Sequence, residues 1–178
     1  MNNTQNGLLE RCRKKESSAC RELYDQYARA MFNISLRIVN DKDEAEDILQ
    51  ESFIKAFSDM TRFNTLPEFG GWLKRVVVNH SLDIIRKKKP NFVSLKDIES
   101  TEIVEKEEYT QYGINEVITC VRLLPHGFRV ILTLFLFENY SHKEIASMLN
   151  ISEGTSKSQY KRAKNRLIEL IQQKTIAQ

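Results

Sequence analysis

Apolar residues recur at intervals of three and four along most of the chain, and no stretch alternates with a period of two, so the pattern predicts helices throughout. A short helix is expected over Leu8 to Arg13. A longer one opens at Ser18, with Leu23, Tyr27, Ala30, Met31, Ile34 and Ile38 on its core face. Asn40 and Asp41 break it. Asp43 with Glu46 three residues on reads as a capping box starting a helix over Glu44 to Met60. There Ala45, Ile48, Leu49, Phe53, Ala56 and Phe57 point inward, leaving an acidic outer face of Glu44, Asp47, Gln50 and Glu51 with Lys55.

Thr61 to Glu68 reads as a polar loop, with Arg62, Phe63 and Asn64 as binding candidates and Pro67 near the first turn of the next helix. That helix carries Phe69, Trp72, Leu73, Val76, Val77 and Ile84. It passes Asn79, Asp83 and Arg86 into Lys87, Lys88 and Lys89 before Pro90 stops it. Trp72 has two readings, core packing at helical spacing or partial exposure beside the loop. The Val76 to Val78 run has strand propensity, but its place inside a longer helical period favours a helix.

From residue 91 to 112 the pattern lapses. Asp97, Glu99, Glu102, Glu105, Glu107 and Glu108 face only Lys96 and Lys106, which reads as a flexible acidic linker, with a helix expected over part of Ile103 to Tyr112. The chain thus divides into an all-α domain over 1–90, the linker over 91–112 and a second all-α domain over 113–178. In the second, Ile114 to Leu124 is amphipathic through Val117, Ile118, Val121 and Leu124. Pro125 interrupts it, and Phe128 to Phe137 is strongly apolar up to Asn139.

The last two helices carry the most specific pattern. Ser141 with Glu144 is a capping box for a short helix bearing Ile145, Ala146, Met148 and Leu149. Asn150 tolerates the left-handed conformation of a tight turn, Ile151 plugs the angle between helices, and Ser152 caps the next one. Its inner face is Ser156, Tyr160, Ala163, Leu167 and Leu170, while Lys157, Lys161, Arg162, Lys164 and Arg166 lie elsewhere on its surface. This is a helix-turn-helix. The alternative is an amphipathic pair whose charges are only solvated. Small Ala146 at the crossing, the three-residue turn and polar Thr155, Ser158 and Gln159 favour DNA, because Ser and Thr serve several bases, Gln pairs with adenine and Arg162 reaches guanine or phosphate.

Composition sharpens this by exclusion. With 178 residues and 41% hydrophobic content the chain buries a real core, and a formal charge of +3 is mild, so only the clustering of charge points to a polyanion. Cys12, Cys20 and Cys120 lack CxxC spacing, and His80, His126 and His142 form no ligand cluster with them, so a reduced, metal-free, cytoplasmic protein is expected. No catalytic residues, cofactor or small-molecule substrate are expected: there is no Ser-His-Asp or Cys-His arrangement and no phosphate-cradling glycine loop. Met1 to Asn6 has no apolar signal core, and no run of about eighteen apolar residues suggests membrane insertion.

The segments DEAEDILQESFIKAF (Asp43 to Phe57), FGGWLKRVVVNHSLDIIRKKK (Phe69 to Lys89) and LLPHGFRVILTLFLFENYSHKEIASMLNISEGTSKSQYKRAKNRL (Leu123 to Leu167) give the chain a family resemblance over almost its whole length. It resembles the small two-domain sigma factors of bacterial RNA polymerase, the extracytoplasmic-function group of the sigma-70 family, with regions 2 and 4 in its two halves. The resemblance implies a non-enzymatic initiation factor that binds core RNA polymerase, directs it to promoter DNA and helps open the strands. It implies a polymerase-clamp contact at Asp43, Asp47, Gln50 and Glu51. It places contacts to the −10 element and the melted strand at Arg62, Phe63, Asn64, Trp72, Asn79, Arg86 and Lys87. It places −35 contacts at Thr155, Lys157, Ser158, Gln159, Lys161 and Arg162. It also implies a linker threaded near the RNA exit path and restraint by a separate anti-sigma factor. Departures from the family pattern are the pair Gly70 and Gly71, expected to loosen the start of the Trp72 helix, Ser156 in place of valine or isoleucine, and Gln159 where arginine is frequent. A stand-alone helix-turn-helix regulator and a protein-binding adaptor are the rival classes.

Overall fold

The computed structural model describes residues 3–88 and 113–176; the acidic segment 91–112 and the expected helix stop at Lys89 and Pro90 lie outside the described residues. The chain forms two compact units, Met1–Lys88 and Lys89–Gln178. Among the described residues every regular element is helical, and no helix is long and apolar enough to cross a membrane.

The first unit contains α1 (Asn3–Arg13), α2 (Ser17–Val39), α3 (Lys42–Ser58), a 3-10 turn (Met60–Arg62) and α4 (Leu66–Lys88). Helices α2, α3 and α4 pack mutually, and α1 lies on α2, the 3-10 turn and α4. Their shared core holds Leu23, Ile34, Ile38, Ile48, Phe53, Phe69, Leu73, Val77 and Leu82. Asn40 ends α2 in the left-handed conformation (φ 60°), donating its N–H to the Leu36 carbonyl at 2.9 Å. The cap of α3 lies two residues before the expected position: Asp41, not Asp43, accepts the Glu44 N–H at 3.1 Å. Both Asp-x-x-Glu spacings are present, and the left-handed turn at Asn40 leaves Asp41 in the extended conformation that a cap needs.

The loop between α3 and α4 is also shorter than expected, because the 3-10 turn takes its start and Leu66, Pro67 and Glu68 are already helical. Thr65 caps α4 by accepting the Glu68 N–H at 3.4 Å, and the Glu68 carboxylate accepts the Asn64 N–H at 2.9 Å. The two glycines of this start differ. A Cβ on Gly70 would stand 2.7 Å from Cε1 of Tyr27, whose hydroxyl donates to the Leu66 carbonyl at 3.1 Å and whose ring meets Phe69 edge-on. Gly70 therefore lets α2 and α4 approach, whereas Gly71 faces open space. Gly71→Ala should stabilise the unit by up to about 1 kcal/mol, and Gly70→Ala should destabilise it by about 1 to 3 kcal/mol. Thermal unfolding of the two variants checks the sign; a stabilised Gly70→Ala protein would mean the Tyr27 ring yields freely.

The second unit contains α5 (Ile114–Leu123), α6 (His126–Leu132), a π-helical turn (Thr133–Phe137), α7 (His142–Leu149) and α8 (Glu153–Ile176). Cys120, Val121 and Leu124 meet Phe128 and Leu132 of α6 and Ala163, Leu167 and Ile171 of α8. Arg129, on the apolar helix, is 5% exposed and donates Nη1 to the Leu124 carbonyl at 3.0 Å, satisfying the end of α5 that Pro125 cannot continue. Burial, with Arg122 nearby, holds its guanidinium below the usual range. Instead of one α-helix to Phe137, the chain widens at Thr133. That turn sets Phe135 against His142 (centroids 4.4 Å) and Tyr160 (4.5 Å), joining it to α7 and α8.

Candidate nucleic-acid interface

Ser141 and Glu144 form the capping box: the Glu144 N–H donates to the Ser141 hydroxyl at 3.3 Å and the Ser141 N–H to the Glu144 carboxylate at 2.8 Å. The Ser141 hydroxyl also donates to the Glu144 carboxylate at 2.6 Å, and this bond, followed by that from the Ser141 N–H, holds the Glu144 carboxyl below its usual range. Asn150 adopts φ 53°, and the Ile151 N–H reaches back to the Ala146 carbonyl at 3.0 Å, closing α7 with the paired bonds of a Schellman turn. Ser152 caps α8 by accepting the Thr155 N–H at 2.9 Å. His142 lies within 3.0 Å of the Ser156 hydroxyl through Nδ1, so the serine that stands for an aliphatic residue is a buried polar tie between α7 and α8. Neither His142 nor Ser156 announces this pairing in the sequence; fourteen positions apart, they meet only when the two helices cross.

On α8 the candidates divide. Ser158, Lys161 and Arg162 are exposed at spacings of three and four, and the last two have no ion-pair partner among the described residues. Lys157 is exposed but paired with Glu153 at 2.7 Å. Thr155 is half-buried, its hydroxyl 2.8 Å from that of Ser152. Gln159 lies at the edge of the exposed set. It is half-buried, and its Oε1 is enclosed without a hydrogen-bond partner among the described residues. Position 159 lies three after buried Ser156 and four before buried Ala163, so helical spacing carries it to the margin of the inner face.

In the first unit the loop candidates also separate. Arg62 and Asn64 are exposed, Arg62 pairing with Asp59 at 3.1 Å. Phe63 is a correction: it is 4% exposed, its ring set against Phe69 (5.4 Å) and Trp72 (5.1 Å), so it offers no face to a base. Trp72 is half-buried, with one side on Phe63. Asn79, Arg86 and Lys87 are exposed along α4, Arg86 pairing with Asp83 at 2.5 Å. Lys88 is tied to Glu44 at the start of α3, which raises its pKa, so the basic run is only partly available to phosphate.

On α3, Asp43, Asp47, Gln50 and Glu51 share one exposed face, with the Glu51 carboxylate 3.4 Å from His80 Nε2. Sequence reasoning missed Ile54. It is 70% exposed and follows Gln50 and Glu51 by four and three positions, an apolar centre beside the acidic rim. Its break from the inward period was the available signal.

Comparison with known proteins agrees with this division. Residues 23–90 match the family described as Sigma-70 region 2, and residues 114–167 the one described as Sigma-70, region 4. The chain is 31% identical to ECF RNA polymerase sigma factor SigM of Bacillus subtilis (strain 168), over 82% of this chain and 91% of that one. It is 27% identical to ECF RNA polymerase sigma factor SigW of the same organism, over 89% of this chain and 92% of that one. In fold it is similar to the sigma factor RpoE of Bartonella quintana, solved in complex with the anti-sigma factor NepR, at a TM-score of 0.54 and 20% identity, covering 85% of this chain and 96% of that one. With region 2 preceding region 4 on a single chain, the protein belongs to the extracytoplasmic-function group of the sigma-70 family of RNA polymerase sigma factors.

Proposed function

We propose that the two units divide the work of initiation by the surfaces described above, the first over 1–90 and the second over 113–178. The exposed face of α3, with Asp43, Asp47, Gln50 and Glu51 around Ile54, docks on the clamp of core RNA polymerase. Arg62 and Asn64 of the loop, with Trp72, Asn79, Arg86 and Lys87 of α4, hold the −10 element and its displaced strand. Lys157, Ser158, Lys161 and Arg162 of α8 face the −35 element, with Thr155 setting the helix start. The observation that carries this reading is that a single small unit exposes both an acidic, apolar-centred face on α3 and basic side chains, Arg86 and Lys87, on α4. A duplex-binding repressor needs no such acidic face. The protein acts in the cytoplasm, where polymerase and promoters meet, and a separate anti-sigma factor restrains it; the complex of the similar RpoE chain with NepR supports that partner.

The test is transcription by core polymerase on a promoter library with and without the purified protein. Start sites that depend on the protein are expected; their absence, with duplex binding retained, would mean that these surfaces do not divide the work as proposed. Within that assay, charge reversal of Asp47 and Glu51 together should weaken core-polymerase binding by roughly 10-fold or more while the melting temperature stays unchanged, because both groups are exposed. Equal affinity for core polymerase would remove α3 from the interface.

A further inference from the structure

The loop that follows the 3-10 turn is held by a residue from the far end of the unit. Arg13, the last residue of α1, donates Nη2 to the backbone carbonyl of Phe63, fifty positions away, and Nη1 to the Glu10 carboxylate at 2.8 Å. Its side chain is 27% exposed, and its Nε is enclosed. Around the same loop the Phe63 ring is locked on Phe69 and Trp72, and the Asn64 N–H is taken by Glu68 at 2.9 Å. The loop is thus pinned at Phe63 and Asn64 by three contacts, with the exposed Arg62 and Asn64 side chains beside them.

We infer that Arg13 is a positioning residue for strand capture, fixing the Phe63 carbonyl so that Arg62 and Asn64 are preset for an unpaired −10 base. The inference rests on the proposed role of the loop. Catching a flipped base repays the cost of unstacking only if the receiving groups are ordered beforehand, since ordering a loop at the moment of capture subtracts from the gain. A charged donor on a carbonyl is among the stronger single constraints on a loop. The arginine acts from α1 without touching DNA.

Arg13→Met keeps the packed stem and removes the donors, Arg13→Lys restores one, and Arg11→Ala is the control. Arg11 on the same helix pairs with Glu16 at 2.9 Å and Glu22 at 3.6 Å. Each variant is assembled with core polymerase on a promoter from the transcription assay, as full duplex and with an unpaired −10 bubble. Arg13→Met should slow strand opening on the duplex roughly 10-fold, the loss of one charge-assisted hydrogen bond. Core-polymerase affinity should stay unchanged, and the bubble should restore transcription. Arg13→Lys should return most of the rate, and Arg11→Ala should resemble the wild type. Opening by Arg13→Met no slower than by Arg11→Ala, or lowered only in step with polymerase affinity, overturns the inference. Alanine at Arg62 and Asn64 separates the two levels: if these also leave opening unchanged, the loop reading itself fails, and if they slow opening while Arg13→Met does not, only the role of Arg13 fails.

Discussion

Phe63→Ala should destabilise the first unit by about 3 to 5 kcal/mol, measured by chemical or thermal unfolding, rather than produce a folded protein that fails to stack a base. Truncating the ring removes a contact shared by Phe69 and Trp72, both on α4, and leaves a cavity where the loop joins that helix. The rigid neighbours cannot fill it without moving the α4 start that Tyr27 and Gly70 hold in place. Phe63→Leu, which keeps most of the volume, should lose much less. If Phe63→Ala instead unfolds at the wild-type midpoint and loses only strand opening, the ring is a nucleic-acid contact and its burial here is a resting position.

In the second unit, Leu167→Ala and Arg162→Ala should fail in different ways, although five positions separate them. Leu167 closes a cluster with Cys120, Val121, Leu124, Phe128, Leu132, Ala163 and Ile171, so its loss should cost about 2 to 5 kcal/mol. In a unit this small that lowers the melting temperature by roughly 10 °C or more. Arg162 is exposed, and its replacement should leave unfolding unchanged while costing roughly 1 to 3 kcal/mol of discrimination at one or two −35 positions, if it pairs bidentately with a base. Selection from a library randomised over the −35 region reads this directly. Uniform weakening of every sequence would place Arg162 on the phosphate backbone, leaving Ser158 or DNA shape to supply specificity.

How far each site was legible depends on where its determinants lie along the chain. The cap at Ser141, the left-handed Asn150 and the cap at Ser152 were readable from a few consecutive residues, because hydrogen bonds of three to five positions' reach decide them. So were the outer face of α3 and most of the inner stripe of α8, which follow from helical spacing alone. Choosing Asp41 over Asp43 as the cap was already harder, since both spacings are written in the sequence and only the turn at Asn40 distinguishes them.

The sequence by itself determined that this protein is helical, that a helix-turn-helix closes it and that its halves are those of a sigma factor, since periodicity, caps and motifs are local or additive along the chain. Tertiary structure alone decided which polar and aromatic groups remain available. An aromatic loop residue and a basic helix end look accessible in sequence, yet Phe63 folds under Trp72 and Lys88 turns to Glu44. Gly70, which reads as a weak point, is a contact for Tyr27, and Arg13 finds its carbonyl fifty positions away. Each of these depends on the distance between groups remote in the chain, and that distance exists only once the helices have packed.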